Sequence, residues 1–221
     1  MSVSAHWLLL DVLSAKDRQQ VLARARRRRF ARNEVIFHEG DPGQAMHLVA
    51  RGHVAIRMHT PLGDVATVRI VRPGEFFGEL AVVSAGPRNA TAVALDTVVS
   101  LSLDRDQLDE LRTGHEQIEE LLLAALVAEI RRLAQELVEV MYVPVDARLW
   151  RRISDLAVAF GSESEPTAEI PLTQDVLAQL TGCTRSTVNR VLRAGEDAGV
   201  IRLARGRIEI VDRDALRHRA R

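Results

Sequence analysis

The sequence of 221 residues contains a single cysteine, Cys183, and no long apolar run. One cysteine excludes an intrachain disulfide framework, and it cannot by itself hold an iron–sulfur cluster. No apolar stretch reaches the roughly 18 residues that a membrane-spanning helix needs, and the N-terminus lacks the basic segment of a secretory signal. These absences predict a protein of a reducing, cytoplasmic setting with no membrane partner.

Net charge is also lacking, because 30 Lys and Arg residues balance 30 Asp and Glu residues. The whole chain therefore gives no indication of a nucleic-acid partner. The distribution is uneven, however, since residues 183–207 contain six arginines against Glu196 and Asp197. A local basic surface of this kind is what a phosphate backbone requires. Arginine-rich helices are also common on solvated surfaces, so the charge pattern alone does not decide.

The length allows two ordinary domains, and a hydrophobic fraction of 47% is enough for true cores.

Residues 1–30 are predicted to be helical, and the arginine run at 26–29 is interpreted as a solvated helix end. From residue 34 to 103, short β-branched segments alternate with glycine-containing turns, which indicates a compact all-β roll or barrel. The predicted strands cover residues 35–37, 46–49, 54–58, 65–71, 90–94 and 98–103.

Helical spacing returns after the predicted roll. Asp104 or Asp106 is expected to cap a short helix, and a long helix is predicted over residues 115–142. Apolar residues recur in this helix with alternating steps of three and four, at Leu123, Leu126, Ile130, Leu133, Leu137 and Val140. This heptad seam favours a dimer interface, although a stripe packed inside the chain would have the same spacing.

Pro144 ends the long helix, because a proline cannot continue the helical hydrogen-bond ladder. Residues 143–145 are therefore the predicted domain boundary, with Asp146 as the N-cap of an amphipathic helix over 147–160. A polar loop is expected at 161–166.

Residues 173–201 have the pattern of a helix–turn–helix motif. Thr173 is the expected N-cap of a first helix, Gly182 lies in the turn, and Thr184 caps a second helix that runs to residue 194. The second helix is expected to expose Arg185, Ser186, Asn189 and Arg190. Arginine can bind guanine through two hydrogen bonds and asparagine can pair with adenine, so this face predicts the reading of DNA bases.

A strand, a tight turn and a second strand are predicted after Gly199. Arg205 and Arg207 belong to the turn of this wing, where their side chains would contact phosphates. The alternative is a small helical hairpin with solvated arginines. The combination of caps, glycine turn, basic face and wing favours DNA binding.

Residues 73–94 carry a second motif, which points to an anion. A glycine-flanked turn would bring the backbone N–H groups of Gly78, Glu79 and Leu80 towards one point, and Arg88 follows nine residues after Glu79. Such amides form an anion nest, and the arginine adds a charge-assisted fork. A carboxylate repels phosphate, so Glu79 would accept from a hydroxyl such as a ribose 2′-OH. These groups describe a cyclic nucleotide site, and an ordinary turn with a surface Glu–Arg pair is the alternative.

The segments FGEL…PRNAT and TGCTRSTVNRVL, with the long helix between them, resemble the cyclic-AMP receptor protein / fumarate-nitrate regulator (CRP/FNR) superfamily of transcription regulators. The resemblance covers nearly the whole chain. It implies an α+β fold with an N-terminal cyclic-nucleotide-binding-type β-roll (a double-stranded jelly roll with flanking helices), a long dimerisation helix and a C-terminal winged helix–turn–helix. The implied domains are residues 1–113, 114–143 and 144–221.

The resemblance also implies partners and residue roles. A homodimer is expected to bind a palindromic operator in double-stranded DNA and to contact RNA polymerase, with no catalytic residue, no metal and no tightly bound cofactor. Glu79 would bind the ribose 2′-OH, and Arg88 with the Gly78 and Glu79 amides would bind the cyclic phosphate of cyclic AMP or cyclic GMP. Arg185 and Arg190 would read guanines in a TGTGA-like half-site.

Three positions depart from the family pattern. Asn89 stands where cyclic-AMP binders have Ser or Thr, although its amide can still donate to a phosphate oxygen. Glu136 and Leu137 stand where the family has its adenine-contacting Thr and Ser, and Glu136 either accepts from an exocyclic amine of the base or is only solvated. Ser186 replaces a Glu that accepts from cytosine N4, so the base preference at that position should be relaxed or changed.

The effector is therefore open: cyclic AMP is favoured, and cyclic GMP, another anion or no ligand are the alternatives. Without a ligand, the chain would be a constitutive regulator whose roll is only a dimerisation scaffold. An enzyme on a cupin-like roll is disfavoured, because no cluster of metal ligands accompanies Glu79. The histidines of the roll are predicted to be structural or solvent-facing and not haem ligands: His38, His47, His53 and His59.

Overall fold

The structure, a computed structural model, describes residues 7–161 and 167–220. The expected polar loop at 161–166 lies outside the described residues except for Gly161, and so do the first six residues of the predicted N-terminal helix. The chain forms two compact units that divide after Ile130.

Two short helices open the first unit, α1 (Leu8–Asp11) and α2 (Ala15–Arg24). Ser14 caps α2, since its hydroxyl accepts a hydrogen bond from the backbone N–H of Asp17. The strands and short helices that follow are β1 (Arg26–Phe30), β2 (Val35–Phe37), β3 (Ala45–Arg51), β4 (Val54–His59), β5 (Val65–Val71), β6 (Phe76–Phe77), α3 (Glu79–Val83), β7 (Thr91–Ala94), β8 (Val98–Asp104) and α4 (Arg105–Gly114).

The strands form two antiparallel sheets, with the orders β1-β8-β3-β6 and β2-β7-β4-β5. Phe30, Val49 and Val98 of the first sheet join Val54 and Val71 of the second in one buried cluster. Burial of these side chains between the sheets removes apolar surface from water and is the main stabilising term of the roll. The β-roll predicted from glycine punctuation is confirmed, and each predicted strand matches an observed strand to within two residues.

The arginine run before the roll is a strand, so its interpretation as a helix end is wrong. Residues 26–29 are exposed members of β1, which pairs with β8 from Arg26 opposite Ser102 to Phe30 opposite Val98. The run has no apolar periodicity because all four arginine side chains face water. Backbone pairing with β8 therefore decides the conformation, and this partner is far away in the sequence.

A second buried cluster covers the helical end of this unit and includes Leu10, Leu108 and Ile118. Of the two expected caps of α4, the structure uses Asp104, which forms a capping box with Gln107. The long helix that follows, α5 (Glu116–Tyr142), begins one residue later than predicted and ends at the predicted residue.

The second unit continues with α6 (Val145–Phe160), β9 (Ala168–Ile170), α7 (Gln174–Thr181), α8 (Arg185–Asp197), β10 (Ile201–Ala204), β11 (Arg207–Ile210) and α9 (Arg213–Arg219). Its sheet has the order β10-β11-β9, and β11 is antiparallel to both neighbours. The hairpin β10–β11 is the predicted wing. The sequence did not predict β9, which adds an outer strand to that hairpin.

Asp146 is not the N-cap of α6, contrary to expectation. The helix begins at Val145, and Pro144 occupies the N-cap position with φ −55° and without a side-chain cap. Proline suits the start of a helix because its φ is already near the helical value and its missing N–H is not needed there. Asp146 consequently lies in the first turn, where its carboxylate faces the positive end of the helix dipole.

Candidate functional sites

The anion nest predicted from the sequence begins at Gly78. This residue has φ 80°, a left-handed conformation, and it is the N-cap of α3. Glycine adopts that conformation without steric cost, which lets the chain turn from β6 into the helix. The N–H groups at the start of a helix have no partner inside it, so the amides of Glu79 and Leu80 are available donors by position. The Leu80 side chain is exposed.

Arg88 is a buried charge beside this turn. Only 6% of the residue is exposed, and its guanidinium donates hydrogen bonds to the backbone oxygens of Gly78, at 2.7 Å, and Ala45. Its terminal carbon lies 4.0 Å from the centre of the Phe37 ring, a cation–π contact. Burial lowers the pKa of Arg88, and the carboxylates of Asp41 and Glu79 partly oppose that effect.

The residues at this turn fit a phosphate-bearing ligand. The Nε–H of Arg88 is buried and has no hydrogen-bond partner among the described residues, so a donor is left for an anion. A Cβ at Gly78 would lie 2.7 Å from Nη1 of Arg88, so a larger residue there would displace the guanidinium from its observed position. The next residue after Arg88, Asn89, is exposed. The structure therefore brings together Gly78, Glu79 and Arg88, as the motif predicted.

Glu79 carries the carboxylate of this site. It is partly buried, and burial raises the pKa of its carboxyl group. The charge of Glu129 also raises this pKa, whereas the backbone N–H of Glu79 and the charges of Arg69 and Arg88 lower it. An acceptor in such a position suits a ligand hydroxyl.

The helix–turn–helix has the predicted caps. The Thr173 hydroxyl accepts a hydrogen bond from the N–H of Val176 at the start of α7, and the Thr184 hydroxyl accepts from the N–H of Thr187 at the start of α8. Gly182 ends α7 in the left-handed conformation, with φ 62° and ψ 44°. The second helix reaches Asp197, three residues beyond the prediction.

The expected reading face of α8 is exposed, and each of its side chains has a partner. Arg190 pairs with Asp146 through two hydrogen bonds of 2.6 and 2.9 Å. Arg185 lies 3.6 Å from a carboxylate oxygen of Asp175. The other two contacts join the Asn189 amide to Gln174, at 3.2 Å, and the Ser186 hydroxyl to that of Thr184, at 2.8 Å.

The wing turns at Arg205 and Gly206, and Gly206 has φ 73°. Arg205 is exposed at this turn. Arg207 lies 3.2 Å from a carboxylate oxygen of Glu209 and 3.5 Å from one of Glu169. The wing is part of the three-stranded sheet β10-β11-β9, and its arginine side chains lie at the surface.

Comparison with known proteins finds a domain match over each of the two regions described above. The family model of the cyclic nucleotide-binding domain matches residues 27–115, and that of the Crp-like helix–turn–helix domain matches residues 147–219. A CRP-like cAMP-activated global transcriptional regulator of Mycobacterium tuberculosis is 33% identical over 194 residues, which are 87% of each chain. The chain belongs to the CRP/FNR family.

Two further relatives of this CRP/FNR regulator come from Thermus thermophilus. The cyclic AMP receptor protein of that organism is 34% identical over 208 residues, 91% of each chain. The crystal structure of a CRP-family transcriptional regulator from the same organism has a TM-score of 0.74 at 25% identity, and the match covers 87% of this chain and 96% of that one. The family is one of DNA-binding transcription regulators and not of enzymes.

None of the helices that the structure describes combines the length and the hydropathy needed to cross a membrane. Within residues 7–161 and 167–220, no three His, Cys, Asp or Glu side chains are grouped so that they could hold a metal ion.

Sequence reasoning missed one residue near the effector site of this CRP/FNR regulator. Arg69 of β5 lies 3.2 Å from Glu75 and 3.9 Å from Glu129, and both Arg69 and Glu129 affect the pKa of Glu79. A cation within an otherwise apolar strand was the available signal.

Glu136, expected from the sequence at the base of the effector, lies in the second unit. There Arg132 and Arg152 donate hydrogen bonds to its carboxylate at 2.6 and 2.8 Å.

His47 is a structural residue in the wall of the roll. It is 8% exposed, it stacks on Phe77 with ring centres 5.1 Å apart, and its Nδ1 lies 3.2 Å from the hydroxyl oxygen of Ser100. Burial lowers the pKa of His47 to about 4, and the charges of Arg88 and Arg28 add to that effect. His47 is therefore neutral at physiological pH.

The other histidines of the roll also lie outside any ligand cluster. His53 pairs with Asp96 at 2.7 Å, His59 is exposed beside Glu39, and His38 is exposed. All four positions agree with the structural or solvent-facing roles that the sequence predicted.

We expect His47 to make the stability of the roll depend on pH. In the unfolded chain its pKa returns towards 6.5, so below that pH the unfolded state binds a proton that the folded state does not. The free energy of unfolding should thus fall as the pH falls from 6.5 to 4. Between pH 7.5 and pH 5, urea denaturation should show that the wild type loses about 2 kcal/mol more than His47→Gln.

The exposed His59 supplies the control for that experiment. His59→Gln should have the pH dependence of the wild type, because its side chain is 60% exposed. Identical pH profiles for the wild type and His47→Gln would contradict the assignment of a buried neutral imidazole.

Proposed function

We propose that this CRP/FNR regulator binds a cyclic nucleotide at the Gly78 turn and thereby controls its sequence-specific binding to duplex DNA. The observation that carries the proposal is the buried Nε–H of Arg88, which lacks a partner among the described residues beside a left-handed glycine. A desolvated cation with a free donor attracts an anion more strongly than a solvated arginine does. The names of relatives in Mycobacterium tuberculosis and Thermus thermophilus favour cyclic AMP over cyclic GMP.

Each residue of the turn has one role in the proposal. The backbone amides of Gly78, Glu79 and Leu80 donate to the cyclic phosphate, and Arg88 adds its charge. The Glu79 carboxylate accepts from the ribose 2′-OH. The Asn89 amide reaches the same phosphate from the exposed side, in place of a hydroxyl. The Glu136 carboxylate accepts from the amine of the base after it has left Arg132 and Arg152.

The proposed DNA site consists of α8, the caps of the two helices and the wing. Arg185 and Arg190 read guanines and Asn189 pairs with adenine in the major groove. Ser186 relaxes or changes the base preference at one position of the half-site. The remaining predicted contacts reach phosphates and include Thr173, Thr184, Arg205 and Arg207.

The operator is palindromic because two copies of α8 lie in successive major grooves about 34 Å apart. The regulator acts in the cytoplasm and contacts RNA polymerase at its promoters.

A constitutive regulator that needs no ligand is the second candidate, and the state of Glu136 favours it. Arg132 and Arg152 both donate hydrogen bonds to that carboxylate, which is the group expected to accept from the base of a nucleotide. Operator affinity that does not change on addition of cyclic AMP or cyclic GMP would select this candidate.

The cyclic nucleotide site is tested by calorimetry on the full-length protein. We expect cyclic AMP to bind, and Arg88→Ala to weaken binding by roughly 10- to 100-fold, because one charged hydrogen-bond partner is lost. Arg27→Ala is the matched control, since it removes an exposed arginine from β1 of the same unit.

Glu79→Gln separates ligand binding from folding, because Arg88 also holds two backbone oxygens. It keeps the size of the side chain and should weaken binding, because a neutral amide oxygen replaces the charged acceptor of the ligand hydroxyl, without a decrease in unfolding midpoint. Wild-type affinity in both Arg88→Ala and Glu79→Gln would contradict the assignment of the site.

The homodimer is proposed to form through α5. Leu123, Ile130, Leu137 and Val140 lie on its predicted seam and are 61–66% exposed. Apolar surface of this extent is stabilised when a second copy covers it, by about 25 cal/mol per Å² buried.

A charge in the seam should separate the dimer. In analytical ultracentrifugation, we expect a dimer for the wild type and a marked shift towards monomer for Ile130→Asp, because the carboxylate would lose water at the interface. Leu62→Asp is the control, since Leu62 is 91% exposed in a turn outside α5. A dimer as tight in Ile130→Asp as in the wild type would place the interface elsewhere.

A further inference from the structure

Asp146 holds the guanidinium of Arg190 in the second unit. Its two carboxylate oxygens accept from Nη1 at 2.9 Å and Nη2 at 2.6 Å, so the contact is bidentate. The carboxylate comes from the first turn of α6 and the guanidinium from α8, 44 positions further along the chain. Both side chains are partly open to solvent, with 46% and 62% exposed. The pair therefore lies on the proposed DNA-binding surface.

The geometry leaves one edge of Arg190 open. A guanidinium is planar and has two usable edges: one formed by the two terminal nitrogens, the other by Nε and one terminal nitrogen. Asp146 occupies the first edge. In the part of the chain that the structure describes, no other hydrogen bond of Arg190 is found, so the Nε edge is unoccupied. Guanine offers O6 and N7 as a pair of acceptors that matches such an edge.

We propose that Asp146 is a specificity-determining residue for DNA reading, which positions Arg190 so that its Nε edge meets guanine and withholds its charge from phosphates. The proposal rests on the proposed function of α8 in base recognition. Arg190 can hold the carboxylate and a guanine in one plane at the same time, because the two partners use different edges. Asp146 acts through Arg190 and itself contacts no base.

The same carboxylate disfavours DNA without the guanine. On such DNA Arg190 can gain only a phosphate, and a phosphate competes for the same charge that Asp146 already neutralises. If Arg190 moves to the phosphate, the Asp146 carboxylate is left unpaired beside a dense array of negative charge. Operator DNA avoids this loss, so the pair increases the ratio of operator to non-operator affinity.

Arg185 offers an internal comparison. Its distance to Asp175 is 3.6 Å, longer than a hydrogen bond, so this contact is an ion pair without a directional hydrogen bond. Positioning of a guanidinium edge requires directional hydrogen bonds, so Asp175 should affect discrimination less than Asp146 does.

The experiment measures the affinity of the full-length protein for two duplexes. An operator is first selected from a randomised duplex pool with the wild type, in the presence of cyclic AMP and cyclic GMP. A scrambled duplex of the same composition serves as non-operator DNA. We expect Asp146→Asn to lower the ratio of operator to non-operator affinity about tenfold, the size of one bidentate base contact. For non-operator DNA, the slope of log affinity against log salt should steepen by about 0.9, because one more cation reaches a phosphate.

Asp214→Asn is the matched control. Asp214 lies in the first turn of α9, its carboxylate accepts from Arg217 at 3.0 Å, and its loss changes the charge of the same unit by the same amount. The ratio should be unchanged in this variant. Both pairs are on the surface, where an ion pair contributes little to stability, so both variants should unfold at the wild-type midpoint.

A double-mutant cycle with Arg190→Ala identifies the route of the effect. If Asp146 acts through Arg190, Asp146→Asn has no further effect on the ratio in the Arg190→Ala background. An equal effect in both backgrounds, a ratio that Asp146→Asn leaves unchanged, or the same loss in Asp214→Asn would each overturn the proposal. Failure of the wild type to select any operator would instead overturn the proposed DNA function, and this inference with it.

Discussion

The effector side of the molecule depends on one buried charge, the guanidinium of Arg88. It is held by the backbone oxygens of Gly78 and Ala45 and lies on the face of Phe37, away from water. Gly78, which has no Cβ and adopts a left-handed conformation, leaves the space that this guanidinium occupies. The turn, the start of α3 and the strand β3 are thereby tied to a cation, which is the basis of the proposed anion site.

On the proposed DNA-binding surface, Arg190 is in the opposite electrostatic state to Arg88. Arg190 is exposed and already paired with the Asp146 carboxylate. Arg88 is buried, and its Nε–H has no hydrogen-bond partner among the described residues. The first state suits a residue that must reject the many phosphates of non-operator DNA, and the second suits one that must capture a single small anion. In the proposed function one type of side chain serves both tasks, because burial and pairing, not residue type, set how readily its charge is available to a ligand.

The sequence predicted those features that depend on local chemistry. Glycine-containing turns defined the roll, Thr173 and Thr184 capped the two helices of the DNA motif, and Pro144 ended α5. Each of these signals acts within a few residues of the element that it controls. For Gly78 and Arg88, the turn and the spacing alone also allowed an ordinary surface Glu–Arg pair, and the family resemblance favoured the anion site.

Features that depend on distant partners were not predictable in the same way. The arginine strand β1 exists because it pairs with β8, which lies far along the chain, from Arg26 opposite Ser102 to Phe30 opposite Val98. The contacts of Arg69 with Glu129 and of Arg190 with Asp146 join residues from different elements, and no spacing rule connects them. Asp146 was assigned to a helix cap on local grounds, and the packing of α6 beside α8 gives its carboxylate a different partner.

The central claim is that a small anion in the roll and DNA on α8 bind to one coupled protein. Calorimetry of cyclic AMP binding, with and without saturating operator duplex, tests this most directly because coupling between two ligands is reciprocal. The account predicts that operator tightens cyclic AMP binding by the same factor, roughly 5- to 150-fold, by which cyclic AMP tightens operator binding. Identical cyclic AMP affinities with and without operator would contradict it.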